Sequence, residues 1–266
     1  MKAFFILLVT ILQTGHLPIP GFYLFRDMED SITQSMNTKP VYYFNPSWSP
    51  DGKKILFEST MNGESAIYSL SKDGKDLFQI TRDPSGQPSW SPDGRSIVYY
   101  RNIDGRLQLF INSATGGNER RLLTSQREDY GASWSKRGVI AFMSNLTKDH
   151  ISHEIFTINS DGSKLKRITD SLFDCMNPGW SPDGLRLVYE RSVWTSKTYA
   201  NISEEEMNRI KSFREISIMN ADGSNAYAIT DARTAYENPV WSSDGKAIFL
   251  STLTDSTSLI HRYETN

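Results

Sequence analysis

The chain has 266 residues, a formal net charge of −2 and a pI near 6.1. This charge balance argues against a nucleic-acid-binding protein, which usually presents a basic patch. With Cys175 as its single cysteine, the chain cannot form an intramolecular disulfide, and its length suits one closed domain once a leader and one insertion are set aside.

The N-terminus has the pattern of a secretory signal peptide. Lys2 supplies one positive charge, and residues 3–12 are an apolar run too short for a membrane-spanning helix, which needs about 20 residues. We therefore expect a signal peptide over residues 1–20, with an approximate end, and a periplasmic or secreted protein. No cysteine follows the run, so no lipoprotein anchor is predicted. The alternative is an uncleaved apolar arm that packs on the domain.

The phrase Pro-x-Trp-Ser-Pro-Asp-Gly recurs along the rest of the chain, in full or in weaker form. Its tryptophans are 42, 44, 46 and 61 residues apart. A period of about 40–45 residues is typical of a supersecondary unit that packs against its neighbours. The five copies span residues 46–52, 88–94, 132–138, 178–184 and 239–245.

Each unit predicts four short antiparallel strands. In the first unit, a strand that ends at Trp48 precedes a Pro-Asp-Gly turn and two runs of strand formers, residues 54–59 and 66–70. Asp73-Gly74 favours a tight hairpin, and residues 77–81 close the unit on a threonine. The later units repeat this order.

Such units predict an all-β fold, a β-propeller of four-stranded blades over residues 21–266. A two-sheet sandwich is disfavoured, because nothing in it requires one motif to recur five times. The last unit stops after three strands, so residues 22–39 are expected to pair with the C-terminal blade and cover its open edge. Five blades are favoured, but residues 22–25 resemble an extra strand before Ile32-Thr33, which leaves six blades as the alternative.

An insertion in the fourth unit, residues 192–213, explains the longest tryptophan spacing. Ser203 and Glu206 form a capping box that predicts a short helix over residues 204–213. We interpret the insertion either as a lid or docking element, or as a tolerated surface loop.

The repeated unit resembles the repeats of TolB-type propellers. In that family it continues with an Ile-Tyr strand and ends on an Arg-Leu-Thr-like strand, and the resemblance runs from about residue 45 to residue 266. The residues that fit this continuation are Ile67-Tyr68, Leu122-Leu123-Thr124 and Arg167-Ile168-Thr169.

The resemblance implies a stand-alone propeller. TolB itself is a periplasmic protein-binding component of the Tol-Pal system with an additional N-terminal α/β domain, which we do not expect here. Prolyl-oligopeptidase-like enzymes join a similar propeller to a hydrolase, but this chain lacks a Gly-x-Ser-x-Gly elbow. Some polysaccharide lyases of similar architecture bind a metal through channel histidines, whereas this chain has four histidines in total.

Amides recur three residues before the tryptophans, where side chains would line the channel mouth. Since amides both donate and accept hydrogen bonds, we predict a ligand site there for a saccharide or a peptide backbone. The alternative is that each asparagine caps the turn before the proline. The predicted ligand-binding residues are Asn45, Gln87, Asp129, Tyr130, Asn177, Tyr236, Glu237 and Asn238.

Aromatic side chains near the same loops suggest a partner-binding surface, since exposed tyrosines are favoured at protein interfaces. The predicted residues are Tyr42, Tyr43, Trp194 and Tyr199. The alternative is that these rings cover blade edges.

No catalytic residue, metal or cofactor is predicted. His150 and His153 do not form a His-Glu-x-x-His motif and would reach one ion only if their loop curled. Cys175 has no histidine beside it in sequence, so we expect a small, partly buried residue rather than a nucleophile.

Taken together, these features predict an exported, non-enzymatic binding or scaffold propeller that docks another envelope or secreted protein. The alternative is a carbohydrate-binding or carbohydrate-active propeller, in which Asp129 and Glu237 approach across the channel mouth. A third hypothesis is a regulatory propeller whose hydrolase is encoded separately. Neither a nucleic-acid partner nor a transmembrane segment is expected.

Overall fold

The computed structural model describes residues 41–147, 150–170, 173–195, 214–232, 234, 236–253 and 258–265. In these ranges the chain forms nineteen strands in five antiparallel sheets, which are the blades of a propeller, and no helix. The predicted all-β fold with five blades is confirmed. The expected signal peptide over residues 1–20, the closing segment 22–39 and the helix 204–213 lie outside the described residues.

The blades follow one another in chain order, each with its first strand innermost. Blade 1 comprises β1 (Tyr43–Trp48), β2 (Lys54–Ser59), β3 (Ala66–Ser71) and β4 (Leu77–Gln79). Blade 2 comprises β5 (Ser85–Trp90), β6 (Ser96–Ile103), β7 (Arg106–Ser113) and β8 (Arg120–Arg121). Blade 3 comprises β9 (Asp129–Trp134), β10 (Val139–Thr147), β11 (His150–Asn159) and β12 (Lys166–Arg167). Blade 4 comprises β13 (Phe173–Trp180), β14 (Arg186–Thr195), β15 (Arg214–Asn220) and β16 (Tyr227–Ala228). Blade 5 comprises β17 (Tyr236–Trp241), β18 (Ala247–Leu253) and β19 (Ser258–Glu264).

Apolar side chains fill the spaces between blades. Leu56 and Ile67 of blade 1 pack against Trp90 and Tyr99 of blade 2, and all four are buried. The indole Nε1 of Trp90 donates to the carbonyl of Ser47 at 3.1 Å, across the same interface. Trp134, Trp180 and Trp241 also pack in apolar clusters that join two blades, which explains why the motif recurs from blade to blade.

The Ser-Pro-Asp-Gly segments form closed turns. In the first, the Ser49 hydroxyl donates to Asp51 Oδ1 at 2.7 Å and accepts the backbone N–H of Lys54 at 2.9 Å. The hydrogen bonds from Ser49 and from the Lys53 backbone lower the pKa of the Asp51 carboxyl. The same serine–aspartate bond recurs at Ser91–Asp93, Ser181–Asp183 and Ser242–Asp244.

The Asp-Gly hairpin of a blade packs against the fourth strand of the blade before it. Gly223, with φ of +93°, lies so close to the Ile168 carbonyl that a Cβ atom at position 223 would overlap with it. Gly162 stands in the same relation to the Leu122 carbonyl, with a Cβ separation of 3.0 Å. A glycine here thus meets two requirements, a left-handed backbone and close approach to the neighbouring blade.

We predict that Gly223→Ala destabilises the protein more than Gly63→Ala does. Both residues have nearly the same positive φ, +93° and +98°, but nothing lies within 4 Å of a Cβ at residue 63. The control should therefore lose about 1 kcal/mol for backbone strain alone, and the test variant about 1–3 kcal/mol more for the overlap. Denaturant unfolding of both variants measures the difference. Equal losses would contradict the packing.

Candidate functional site

The loops of the propeller form two faces with different character. The upper face consists of the loops that lead into each first strand and the loops that join second to third strands. The opposite turn face carries the Pro-Asp-Gly turns and Asp-Gly hairpins, which repeat from blade to blade. Because the upper loops differ in every blade, this face is the candidate functional surface.

The predicted amide ring occupies a β-bulge in each first strand. Asn45, Gln87, Asn177 and Asn238 have φ between 49° and 54°, and Gly131 at the equivalent position of blade 3 has φ of 63°. The pairing register shifts at this point in all five blades. Left-handed backbone favours glycine and asparagine, so backbone conformation accounts for most of the residue choice.

Glu58 fastens blade 1 to blade 2 at this bulge. Its Oε2 accepts the Asn45 side-chain N–H at 3.0 Å and the backbone N–H of Gln87 at 3.1 Å. Its Oε1 accepts the Ser65 hydroxyl at 2.5 Å. The carboxylate is buried, and one side chain thereby fixes the bulges of two blades.

Glu190 makes the equivalent connection between blades 4 and 5. Its Oε1 accepts the Asn177 side chain at 2.8 Å and the backbone N–H of Asn238 at 2.9 Å. Its Oε2 accepts Arg214 at 2.8 Å. The carboxylate is 0% exposed, so its charge is compensated by Arg214 and by hydrogen bonds within the protein.

The two remaining junctions between described blades use other acceptors. Gln87 Oε1 accepts the backbone N–H of Gly131 at 3.0 Å, which joins blade 2 to blade 3. Met143 Sδ lies 3.1 Å from the backbone nitrogen of Asn177, which joins blade 3 to blade 4. At each junction, a side chain of one blade receives the bulge N–H of the next.

The amides predicted to bind a ligand are thus engaged in bonds within and between blades. Asn238 also donates to Ser251 Oγ at 3.3 Å. In the structure, all four side chains form hydrogen bonds to other groups of the protein. Sequence reasoning missed Glu58 and Glu190, although a regular spacing marks them: Asn45 and Asn177 each precede their glutamate by 13 residues.

Gly86 makes room for the Glu58 carboxylate. A Cβ at residue 86 would lie 2.5 Å from Glu58 Oε2 and 2.5 Å from the Tyr100 hydroxyl. Burial and, secondarily, the nearby Glu58 charge raise the pKa of Tyr100 to about 12. The phenol therefore stays neutral at physiological pH beside the carboxylate.

Asp129, predicted at the channel mouth, is 0% exposed. Its carboxylate accepts hydrogen bonds from the Ser125 and Ser144 hydroxyls, the second at 2.6 Å. This carboxylate is enclosed by its own blade, whereas Glu237 is only partly buried and its backbone carbonyl accepts Ser251 Oγ at 3.0 Å.

Tyr130 belongs to a hydrogen-bonded group that crosses from blade 3 to blade 4. Its hydroxyl lies 2.9 Å from His153 Nε2, and His153 Nδ1 lies 3.3 Å from Asp174 Oδ1. The backbone N–H of His153 also donates to Asp174 Oδ1 at 2.6 Å. Burial, with smaller contributions from the Glu128 and Asp174 charges, raises the pKa of Tyr130 to about 12. The cluster connects blade 3 to blade 4.

Two of the four aromatic side chains predicted to bind a partner, those of Tyr42 and Tyr43, lie among the described residues. Tyr42 is 49% exposed and stacks on Phe44 with ring centroids 6.0 Å apart. Tyr43 is half-buried against Phe57, and Tyr236 packs edge-on against His261. The side chain of Trp194 and all of Tyr199 lie outside the described residues.

Cys175, metal-binding groups and membrane-spanning helices were also considered in the sequence. Cys175 is buried, as a packing residue would be, with its Sγ 3.7 Å from the Phe173 carbonyl. Among the described side chains, no group of three or more His, Cys, Asp or Glu residues is arranged to hold a metal ion. Within the same part of the chain, none of the elements is a helix of the length and apolarity needed to cross a bilayer.

Comparison with known proteins identifies relatives of the fold. Residues 23–213 match the family model described as the TolB beta propeller domain. The structure of a putative TolB from Agrobacterium tumefaciens is 24% identical, with a TM-score of 0.64 over 83% of this chain and 74% of that chain. TolB from Acinetobacter baumannii is 20% identical, with a TM-score of 0.66 over 85% of this chain and 52% of that chain.

A more distant likeness extends to an enzyme. A puromycin-hydrolysing peptidase from Mycobacterium tuberculosis is 10% identical, with a TM-score of 0.62 over 84% of this chain and 35% of that chain. Among curated proteins, none shows significant similarity to the chain. At these identities the structural likeness shows the fold alone.

We predict that Glu190→Gln lowers the free energy of unfolding by about 2–4 kcal/mol, because it leaves Arg214 without its charge partner and places an amide donor against either Arg214 or the Asn238 N–H. Glu237→Gln, at a partly buried residue next to Asn238 in blade 5, should change it by less than about 0.5 kcal/mol. Denaturant titration of both variants at neutral pH is the measurement. A Glu190→Gln variant as stable as the control would show that the carboxylate does not fasten the blades.

Proposed function

Because this chain belongs to the TolB beta-propeller domain family, we propose that it is an exported, non-enzymatic binding module of the cell envelope. In this proposal it docks another envelope or secreted protein on its upper face. The pattern of residues 1–20 supports export, and the family resemblance supports a periplasmic or secreted location.

The observation that carries this proposal is that the upper face combines carboxylates engaged in bonds between blades with an exposed aromatic pair. At the bulges of the first strands, the carboxylates of Glu58 and Glu190 are occupied by hydrogen bonds that connect neighbouring blades. The stacked pair of Tyr42 and Phe44 instead offers aromatic area to solvent. Aromatic surface on a rigid scaffold suits protein contact, because it buries a large area at small entropic cost.

The carbohydrate-active alternative has less support. It depends on Asp129 and Glu237 acting as a pair of accessible carboxyl groups, as glycoside hydrolysis requires. With its carboxylate enclosed by Ser125 and Ser144, Asp129 is not available to a ligand at the channel mouth.

Photo-crosslinking from two matched positions tests the docking face. A photoreactive phenylalanine analogue is placed at Tyr42 on the upper face or at Leu185 in a turn on the opposite face, since both residues are 49% exposed. We expect a discrete crosslinked partner in intact cells from position 42 and none from position 185. Phe44→Ala, which removes the stacked ring, should reduce the yield at position 42 several-fold. Equal capture from both positions, or from neither, would argue against docking on the upper face.

Export is tested separately by cell fractionation. We expect the full chain to be recovered outside the cytoplasm, with a shortened N-terminus, and a chain that lacks residues 1–20 to remain inside. Mass spectrometry of the exported form measures the cleavage point. Retention of the full chain in the cytoplasm would rule out the envelope location. It would not test docking on the upper face, which the crosslinks measure separately.

A further inference from the structure

A cleft of about 640 Å³ opens on the turn face between blades 1 and 2. It lies between the Pro-Asp-Gly turns of the two blades, and residues 113–115 at the start of the blade 2 hairpin also line it. Its volume falls in the range of small-molecule sites, which is about 300–1,000 Å³. The cleft is therefore large enough to hold a small ligand.

Part of the lining is apolar. Trp90, Pro50 and Pro92 border the cleft, together with Ala114. The indole N–H of Trp90 is already bonded to the Ser47 carbonyl at 3.1 Å. What this tryptophan offers to a ligand is thus its carbon surface, which suits the apolar part of a small molecule.

Three cationic side chains, those of Lys53, Lys54 and Arg95, also line the cleft. Lys53 Nζ lies 3.9 Å from a carboxylate oxygen of Asp51. Within the described part of the chain, neither Lys54 nor Arg95 takes part in a salt bridge. Both are exposed, so their charges are available to a bound anion.

The two carboxylates of the lining are engaged in the turns themselves. Asp51 Oδ1 accepts the Ser49 hydroxyl at 2.7 Å, and Asp93 Oδ1 accepts the Ser91 hydroxyl at 2.6 Å. These bonds and those from backbone N–H groups lower the pKa of both carboxyls, which are therefore charged at neutral pH. The lining carries three positive and two negative charges, an excess of one positive charge that favours an anion.

The same arrangement of turns exists between blades 4 and 5. A Cβ at Gly94 would lie 3.5 Å from the Pro50 ring, and a Cβ at Gly245 would lie 3.6 Å from the Pro182 ring. The two junctions hold their turns at nearly the same separation, so their side chains can be compared position by position.

A planar group of the protein itself occupies the junction between blades 4 and 5. Arg186, the first residue of β14, places its guanidinium carbon 4.7 Å from the centroid of the Trp241 ring. Lys54 is the first residue of β2 and corresponds to Arg186. In the described ranges, however, no cation lies over the ring of Trp90. The place that a guanidinium fills in one junction is open in the other.

An arginine also bridges the corresponding turns of blades 3 and 4. Arg137 Nε donates to the Asp183 carbonyl at 3.0 Å. Trp180 of this junction donates its indole N–H to the Ser133 carbonyl at 3.0 Å, which is the bond that Trp90 makes in blade 2. Trp180 is therefore a matched reference for Trp90, in a junction that an arginine already bridges.

We propose that the cleft between blades 1 and 2 binds a small planar organic anion, such as an aromatic carboxylate. The ring of the ligand packs against Trp90 in the place that a guanidinium occupies between blades 4 and 5. Its charged group faces Lys54 and Arg95, which would repel a second cation, so the occupant is an anion rather than an arginine of a partner protein. This site is separate from the upper face and does not depend on docking there.

An NMR titration of the full chain with 2-naphthoate, a planar aromatic carboxylate, tests the proposal. We expect the indole N–H signal of Trp90 to shift saturably, with a dissociation constant of about 1 mM or tighter for a ligand of this size. The Trp180 signal should stay in place. The neutral 2-naphthamide should bind at least about threefold more weakly, because it lacks the charge.

Three results of this titration would overturn the proposal. They are the absence of a saturable shift at Trp90, an equal shift at Trp180, and equal binding of the acid and the amide. The first excludes a ligand site in the cleft, the second shows binding that is not confined to it, and the third shows that the site does not select an anion.

Paired charge-removing variants identify the cations that attract the ligand. Lys54→Gln with Arg95→Gln should weaken the binding of 2-naphthoate about three- to tenfold. Lys136→Gln with Lys246→Gln removes the same charge from lysines of the turn face outside the cleft, and should change it by less than about twofold. All four side chains are exposed, so both pairs should keep the unfolding midpoint of the original chain. An equal loss of binding in both pairs, or no loss in either, would contradict the proposed site.

Discussion

The structure depends on hydrogen bonds from the backbone of one blade to side chains of the blade before it. At the bulge of every first strand the chain turns left-handed, and its N–H points away from its own sheet's ladder. In blades 2 to 5, a side chain of the preceding blade accepts that N–H, and the acceptors are in turn Glu58, Gln87, Met143 and Glu190. A buried backbone donor without a partner is costly, so these acceptors couple the conformation of one blade to the presence of its neighbour.

This constraint explains the composition of the channel mouth. An asparagine at the bulge adopts the left-handed conformation at small cost and can bond the same carboxylate that serves the next blade, as Asn45 and Asn177 do. Gly86 has no side chain, and the Glu58 carboxylate lies where a Cβ at residue 86 would overlap with it. The bulge residues are consequently structural elements of the junctions between blades.

The sequence was sufficient to predict the strand order, the blade number and the role of the turns, because each depends on local patterns that repeat. The sequence alone identifies the Pro-Asp-Gly turns, the Asp-Gly hairpins and the spacing of Trp48 and Trp90. Amides at the bulge were also visible, but their partners were not. Whether Asn45 faces solvent or Glu58 depends on a left-handed φ and on the pairing register, and neither can be read from residue types.

Burial of Asp129 was hidden for a similar reason. Its enclosing hydroxyls come from Ser125, four residues earlier, and Ser144, on the adjacent strand. Only the register of β9 against β10 brings the second one near. A carboxyl group that resembles part of a binding site in the sequence can thus have its hydrogen bonds satisfied within the protein once neighbouring strands are aligned.

The variety of acceptors at the junctions has a consequence for how such a ring tolerates change. Each junction involves two adjacent blades and no third, so a carboxylate, an amide and a thioether can all perform the same task in one molecule. Substitution at one seam need not be matched at another. The residues at one junction can therefore change in type while the ring keeps its shape, because each junction is stabilised by its own local contacts.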